Sequence, residues 1–470
     1  MPTKTKKAVA SVRTEYVGLG LLVSWVYCSW FSPALFSVQQ SATHDDVSWL
    51  VSLAACVATI FVVSRMLGPR MLSRKKGCYA AAAILVCGGT VCLGGFGPGE
   101  STSALLLVGA AATGFGSGLL YVLWSEYMST RRSGEIRTVA FIVSLVALGA
   151  LLLAWVLPAG LSMLFVSMLP LLSIAPFARA RRSMRASESR PDGLQESGPS
   201  GDRSASALAA RVFGLSVALS ALAAFGWASA AFIPNVNPSL AICGGAFGGI
   251  ALTLVVALVS SFTRSSPNIA SLYRLLIPML VIAFALLEVR PEPLGNLAMG
   301  LLLALGMGFD FFLLMYFGSL FASRLPNALR AFCYCEGYTN TGLLVGNAVG
   351  ILCGSVLSVP PRVLENIYLV LIVATVFVLI AMVEQQGNID RMMAAGDHSA
   401  MVARVAESFG LTTREREILD YLARGRSVPF ISEALFIQKS TVETHRKHIY
   451  TKLGIHNRQE LLDLMDCSDL

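Results

Sequence analysis

The chain has 470 residues, of which 55% are hydrophobic and only 14% are charged, against roughly 25% charged residues in a typical soluble domain. This composition excludes an ordinary soluble protein. The net charge of +8 does not by itself indicate nucleic-acid binding, because residues 1–384 carry 25 Lys/Arg and 16 Asp/Glu, whereas residues 385–470 carry 11 and 12. The two parts of the chain are therefore expected to lie in different solvents.

Twelve apolar segments are long enough to cross a bilayer, which requires about 20 helical residues. They cover 16–38, 47–67, 77–96, 103–124, 138–157, 160–178, 208–233, 239–262, 271–288, 294–322, 339–357 and 365–384. The Lys-rich start, residues 1–15, lacks the short apolar run and cleavage site of a removable signal peptide, so the first span is expected to be retained. The sequence predicts an all-α transmembrane bundle in contact with lipid.

Positive charges are distributed unevenly among the predicted loops. With a cytoplasmic N-terminus, the outward loops contain only Arg290 and Arg362, whereas clusters such as 70–76 and 179–185 lie in inward loops. This asymmetry is typical of a positive-inside topology. It predicts a multi-pass protein of the bacterial inner membrane with both termini in the cytoplasm.

The sixth and seventh spans are separated by a segment rich in Ser, Gly, Pro and charge. Residues 179–207 are expected to form a disordered cytoplasmic linker between two six-helix halves, 16–178 and 208–384. This arrangement, with the loop "SRMLGPRMLSRKK" after the second span, resembles the major facilitator superfamily. The resemblance implies two six-helix halves around a central cavity.

Three acidic residues fall within or near the predicted spans. Asp310 lies inside the tenth span, and Glu126 and Glu336 lie near the cytoplasmic ends of the fourth and eleventh spans. Because a charge facing lipid is costly, Asp310 is expected to face a cavity or a partner. The three are candidate contacts for an unidentified small molecule, ion or proton, and a structural hydrogen bond is the alternative. Aromatic residues such as Trp25, Tyr27, Trp30 and Trp124 are expected to anchor the membrane interface, with the lining of a pocket as the alternative.

Glycines of the eleventh span recur every fourth residue and so lie on one helix face. They are Gly342, Gly346, Gly350 and Gly354, and the eighth span has the similar pairs Gly244/Gly248 and Gly245/Gly249. Small residues at this spacing let a second helix approach closely. Packing within the chain is expected, with contact between subunits as the alternative.

Residues 411–465 combine the features of several short helices. Thr412 with Glu415 predicts a capping box that opens the first of them, and Gly425 ends it. The predicted helices are 412–422, 427–435, 439–453 and 457–465, with buried positions at Ile418, Leu419, Leu422, Val442, Ile449 and Leu453. Two short helices joined by about three residues are typical of a helix-turn-helix.

The segments "LTTREREIL", "LARGRS", "ISEALFI", "STVETH" and "KLGIHNRQEL" closely resemble the LuxR-type, or NarL-type, helix-turn-helix family. The resemblance covers about 55 residues in order and at family spacing. It implies a four-helix, dimerising DNA-binding domain at residues 409–470. The family's recognition helix falls on 439–453, and its dimerisation element falls on 457–465, so a homodimer on double-stranded DNA is expected.

The candidate DNA-binding residues lie on the third helix of the tail and just after it. They are Lys439, Ser440, Thr441, Glu443, Thr444, His445, Arg446, Lys447, Lys452 and Arg458. Five are basic and one is acidic, which favours phosphate contact. Thr444 and Lys447 match family positions that face base edges, whereas a packing role for His445 is equally favoured.

Glu443 departs from the family, which usually has Lys at this position. It can complete a capping box with Ser440, or it can accept a hydrogen bond from a cytosine amino group. The base preference of the family is therefore not carried over to this chain.

Residues 385–408 are too few for a receiver domain and are expected to be a linker with about 13 flexible residues and a helix around 401–409. By elimination, the transmembrane bundle takes the place of a sensor for a small molecule, in a one-component transcription regulator. The alternative is a major-facilitator-like transporter with a regulatory tail. No nucleophile–base arrangement, metal cluster or phosphate loop is found, so no enzyme, metal or cofactor is expected.

Overall fold

The computed structural model describes residues 14–31, 42–66, 72–75, 77–94, 100–131, 135–188, 203–232, 238–262, 269–289, 292–312 and 328–466. Within these ranges all regular secondary structure is helical. The chain divides into two compact units, Met1–Gln385 and Gln386–Leu470. The first contains the apolar segments, and the second is the polar tail.

The first half of the apolar unit contains the helices α1 (Glu15–Phe31), α2 (Ala42–Met66), α3 (Cys78–Gly94), α4 (Glu100–Ser129), α5 (Ile136–Val156), α6 (Ala159–Leu172) and α7 (Ile174–Glu188). A short 3-10 helix, Leu72–Arg74, lies between α2 and α3. The predicted sixth span, 160–178, lies within Ala159–Arg185, which is long and apolar enough to cross a membrane, and a single turn residue, Ser173, separates α6 from α7. Pro176 lacks the backbone N–H that would continue the hydrogen bonds of α6, which accounts for the turn at Ser173.

The second half contains α8 (Arg203–Ala230), α9 (Pro238–Phe262), α10 (Ile269–Val289), α11 (Glu292–Phe312), α12 (Ala328–Ile351) and α13 (Pro361–Ser408), with a π-helical turn at Leu352–Val356. Among the described residues, eight helices are long and apolar enough to cross a membrane, and three shorter apolar helices cover 78–94, 276–288 and 294–308. The prediction of a multi-pass membrane unit is confirmed. The predicted span 294–322 extends past residue 312 into positions outside the described residues.

Both predicted linkers contain helix. α7 continues to Glu188 and α8 begins at Arg203, so the predicted disordered linker 179–207 is helical at both ends, and 189–202 lie outside the described residues. The predicted flexible residues of the linker 385–408 are helical throughout, as part of α13. This segment is rich in Ala, Met, Gln and Arg, whose high helix propensity outweighs its two glycines.

The glycines of α12 pack against α8. A Cβ atom at Gly342 or Gly346 would overlap the backbone carbonyl of Val217 or Ala221, so only glycine allows the observed separation of the two helices. In α9, a Cβ atom at Gly245 would overlap the backbone carbonyl of Gly300 in α11, whereas a Cβ atom at Gly244 would meet no atom within 4 Å. The expectation of close packing within the chain is confirmed, and in α9 it applies to the pair Gly245/Gly249.

The two halves of the apolar unit contact each other through several helices. Cys56 and Ile60 of α2 and Val122 of α4 form a buried cluster with residues of α12. The Ser144 hydroxyl of α5 donates to Thr253 of α9 at 3.0 Å. Three of these helices, α2, α4 and α12, also line a central cavity.

The tail contains α14 (Thr413–Ala423), α15 (Val428–Ala434), α16 (Lys439–Leu453) and α17 (Arg458–Asp466). The predicted buried residues Ile418, Leu419, Leu422, Val442, Ile449 and Leu453 all lie in its core. The core also includes Met401, Val402 and Val405 from the last turns of α13. The folded tail therefore begins before residue 409, the predicted domain boundary.

Candidate DNA-binding helix and membrane cavity

The start of α14 is fixed by the predicted capping box. The Thr412 side chain accepts a hydrogen bond from the Glu415 backbone N–H, and the Glu415 carboxylate accepts one from the Thr412 N–H at 2.8 Å. The Lys452 ammonium of α16 donates to the same Glu415 oxygen at 2.6 Å. Glu415 thus joins the first helix of the tail to the C-terminal end of α16.

The pKa of Glu415 is lowered to about 2, because the hydrogen bonds from Lys452 and Thr412 outweigh the burial that by itself raises it. The side chain is only 6% exposed. This ion pair is therefore shielded from solvent on the Glu415 side, unlike the exposed pair of Arg414 and Glu417 on the same helix.

The turn between α15 and α16 has a left-handed residue, Phe436, with φ of 53°. Its side chain is 95% exposed, and its backbone N–H donates to the Glu433 carbonyl. α16 ends at Gly454, which has φ of 69° and closes the helix in the left-handed conformation. The turn and the two helices have the order and lengths expected of a helix-turn-helix.

One side of α16 is exposed, and the opposite side is buried. Val442, Ile449 and Leu453 pack into the core. The exposed candidates are Lys439, Ser440, Thr441, Glu443, Thr444, Lys447, Lys452 and Arg458. Arg446 and His445 are partly buried, and the Nδ1 atom of His445 has no hydrogen-bond partner. The buried pattern of α16 thus leaves Thr444 and Lys447 exposed to solvent.

Two of the predicted DNA contacts already have partners within the tail. Lys452 binds Glu415 and also donates to the Gly410 carbonyl at 3.3 Å. The Arg458 guanidinium donates to the Gly425 carbonyl at 2.8 Å, where it joins α17 to the end of α14. Both side chains therefore have a structural role that the sequence did not indicate.

The capping box proposed for Glu443 is not formed. α16 begins at Lys439 with Gln438 as its N-cap residue, and Gln438 makes no side-chain cap. Ser440 is consequently inside the first turn, where its carbonyl accepts a hydrogen bond from Thr444 at 2.9 Å. Glu443 is left exposed, and the alternative of a base contact stays a prediction.

The apolar unit contains a cavity between its two halves. Its walls come from α1, α2, α4, α8, α11 and α12, and the residues that line it include Trp25, Tyr27, Trp30, Trp49, Tyr121, Ser220, Trp227, Asp310, Thr339 and Asn340. Its volume is about 100 Å³. A single water requires roughly 10–15 Å³ of such space, so the cavity has room for a small organic molecule.

The three acidic candidates are in different surroundings. Asp310 lines the cavity, and its Oδ1 atom is buried without a hydrogen-bond partner. Glu336 is 2% exposed and accepts hydrogen bonds from Asn340 at 3.0 Å and from Tyr121. The Glu126 carboxylate accepts hydrogen bonds from the backbone N–H groups of Leu72 and Ser73, which joins α4 to the short 3-10 helix before α3. Of the three, only Asp310 is directly available to a ligand.

The expectation that the tryptophans anchor the membrane interface is wrong for Trp25 and Trp30, which line the cavity. The Trp25 indole donates to Thr90 at 2.9 Å, and this hydrogen bond fixes the ring. Trp49 and Trp227 complete the aromatic wall, and neither was predicted from the sequence. Their position shortly before or after a predicted span end is common to interfacial and cavity-lining residues, so the sequence held no distinguishing feature.

The tail is similar to known regulators. Residues 410–465 match the family model of "Bacterial regulatory proteins, luxR family". The tail is a LuxR-type helix-turn-helix domain. It is 46% identical over 48 residues to the probable transcriptional regulatory protein NarL of Mycobacterium tuberculosis, and 45% identical over 53 residues to the oxygen regulatory protein NreC of Staphylococcus aureus. These matches cover 10% and 11% of this chain and only 22% and 24% of the relatives, so the LuxR-type domain is the shared part.

The apolar unit resembles solved membrane transporters. A bacterial homologue of the iron transporter ferroportin, in an outward-facing state, aligns over 80% of this chain and 100% of its own with a TM-score of 0.55 and 14% identity. The human organic anion transporter TETRAN aligns over 78% and 98%, with a TM-score of 0.51 and 15% identity. The apolar unit therefore shares the fold of these two transporters, and identities this low say nothing about its ligand.

Proposed function

We propose that the protein is a membrane-embedded, one-component transcription regulator, in which the transmembrane bundle binds a small molecule and thereby controls DNA binding by the LuxR-type domain. The observation that carries this proposal is α13. This one helix includes the last apolar span, Arg362–Gln385, and ends with three core residues of the LuxR-type domain, Met401, Val402 and Val405.

A helix that belongs to both units can couple them. A ligand changes the population of two states only if it binds them with different affinity, and a transporter-like fold has alternative states of this kind available. A shift or rotation of the last span would be carried along α13 toward Val405 and the core around α14 and α16. No separate signalling domain is required by this route.

The proposed topology has twelve spans in the bacterial inner membrane, with both termini in the cytoplasm. The uneven distribution of Lys and Arg among the loops supports this orientation. It brings the LuxR-type domain to the compartment that contains DNA, and the DNA must come to the membrane to be bound.

The proposed DNA contacts are the exposed residues of α16, with Lys439 and Lys447 on phosphates or bases and Thr444 near base edges. Lys452 and Arg458 would contact phosphate while they keep their internal hydrogen bonds. Dimerisation through α17 would place two copies of α16 in successive turns of the major groove.

The test is binding of the fragment 386–470, which contains the complete core of the tail, to the DNA upstream of its own gene and to a scrambled duplex, over a salt series. We expect selective binding that weakens steeply with salt, and a salt slope that falls by about one when Lys447 is replaced by Ala. Arg424→Ala removes the same charge from α14, where Arg424 pairs with Asp420, and should leave the slope unchanged. Equal binding to both duplexes by an enforced dimer would contradict the proposal.

A transporter with a regulatory tail is the second candidate, and the major-facilitator-like fold of the apolar unit favours it. It predicts saturable movement of a solute into sealed vesicles that contain the purified protein. A regulator that only senses its ligand would bind that solute without moving it across the membrane.

A further inference from the structure

We propose that the central cavity binds a small organic cation, a quaternary or protonated amine, between Asp310 and a wall of tryptophan rings. This inference rests on the sensor function proposed above and names the chemical class of its ligand. Two features of the cavity carry it: an unpartnered carboxylate, and a group of aromatic side chains contributed by both halves of the bundle.

Asp310 is the first feature. Its Oδ1 atom is buried and has no hydrogen-bond partner, and Asp310 lies in the apolar run of α11 that follows Asn296. A buried carboxylate oxygen without a hydrogen bond is costly, and a cation beside it removes much of that cost. The Ser220 hydroxyl also lines the cavity without a partner, so a ligand with a second polar group would find an acceptor or donor there.

The aromatic wall is the second feature. Trp30 of α1 contacts Trp49 of α2 with ring centroids 6.4 Å apart, and Trp49 contacts Trp227 of α8 at 5.8 Å, both edge to face. Tryptophan has the strongest attraction for a cation of the three aromatic side chains, and aromatic cages are a recurrent way to bind quaternary ammonium groups. Because Trp227 belongs to the second half, a ligand on this wall would touch both halves.

The charge of the cavity selects the sign of the ligand. None of the described residues that line the cavity is Lys, Arg or His, whereas Asp310 lines it and Glu336 is bound to Asn340, which also lines it. An anionic ligand would therefore meet carboxylates and no counter-charge. The described residues also contain no group of three or more His, Cys, Asp or Glu that could hold a metal ion. An organic cation matches the carboxylate with its charge and the indole rings with its apolar surface.

The experiment is titration of the purified full-length chain in detergent micelles with tetramethylammonium, choline and benzyltrimethylammonium, followed by tryptophan fluorescence. The neutral comparison is 3,3-dimethyl-1-butanol, which has the shape of choline with carbon in place of the charged nitrogen. We expect at least one cation to bind at least tenfold more tightly than this alcohol. Asp310→Asn should weaken that binding about tenfold or more, and Asp310→Glu should retain part of it.

Two matched tryptophan variants test whether the aromatic wall contributes to cation binding. Trp49→Leu should weaken cation binding several-fold, whereas Trp155→Leu should not, because Trp155 is not among the cavity-lining residues and packs against Phe247. If the alcohol binds as tightly as choline, if none of the three cations binds, or if Asp310→Asn binds as well as the parent chain, the proposal is overturned. Thermal unfolding of each variant in detergent shows whether its membrane unit is folded, and loss of DNA binding by the parent chain would instead contradict the proposed regulator.

Discussion

Replacement of Glu415 by Gln should strongly destabilise the LuxR-type domain at neutral pH. The Glu415 carboxylate accepts hydrogen bonds from Lys452 and Thr412, and its pKa falls from the ordinary value of 4.5 to about 2. At about 1.4 kcal/mol per pKa unit, the lowered pKa sets an upper limit of about 3 kcal/mol, and solvent screening at Lys452, whose side chain is 36% exposed, reduces the expected loss to about 1–2 kcal/mol. For a domain of this size, such a loss lowers the midpoint of thermal unfolding by about 5–15 °C.

The same interaction gives the domain a defined dependence on pH. Because the pKa of Glu415 is lower in the folded state than in the unfolded state, its contribution is fully present above about pH 4.5 and is lost as the pH falls toward about 2. The Gln variant cannot lose this contribution. Its unfolding midpoint should therefore depend less on pH across this window than that of the parent domain.

Thermal unfolding of the fragment 386–470, followed by circular dichroism at several pH values, measures both effects. Glu417→Gln is the control, because Glu417 forms an exposed pair with Arg414 that is expected to contribute less than about 1 kcal/mol. A midpoint for Glu415→Gln that equals the Glu417→Gln midpoint at pH 7 would refute the reasoning. Lys452→Met should destabilise by a similar amount, and the double variant by less than the sum.

Two further predictions concern other parts of the chain. Gly346→Ala should lower the thermal stability of the full-length protein in detergent by about 1–3 kcal/mol, since the added methyl meets the Ala221 carbonyl, whereas Gly244→Ala, which meets no atom within 4 Å, should be neutral or stabilising. A fragment that starts at residue 410 should unfold at a lower temperature than 386–470, because it lacks the buried Val405, and Val405→Ala in the longer fragment should cost about 1–3 kcal/mol. Equal unfolding midpoints for Gly346→Ala and Gly244→Ala would contradict the first prediction, and equal midpoints for the two fragments would contradict the second.

The helices of the tail could be predicted from the sequence because local patterns determine them. The capping box at Thr412 and Glu415, the left-handed glycines 425 and 454, and the periodic apolar residues of α16 each act over a few residues. The Lys452–Glu415 pair joins residues 37 positions apart, and no local pattern indicates it. The predicted capping role of Glu443 was wrong because it required Ser440 to be the N-cap residue. α16 begins at Lys439, so the N-cap residue is Gln438.

The cavity could be predicted only in part. Asp310 was found from the sequence because an acidic residue in a long apolar run is unusual. The aromatic wall depends on how α1, α2 and α8 pack, and an apolar helix shows little periodicity in sequence because lipid and the bundle interior are both apolar. For the same reason the sequence predicted where the spans are, but not which of their faces meet.

Because Met401, Val402 and Val405 belong to the core of the tail, they limit where a LuxR-type domain can be joined to another membrane unit. The recognisable LuxR-type sequence starts at residue 410, yet the folding unit starts within the helix that precedes it. A chimera joined at residue 410 would exchange the DNA-binding surface, but the new tail would pack against Met401, Val402 and Val405 of the original chain and not against its own residues at these positions. Exchange of regulatory tails among such proteins should succeed where the crossover point lies upstream of Met401.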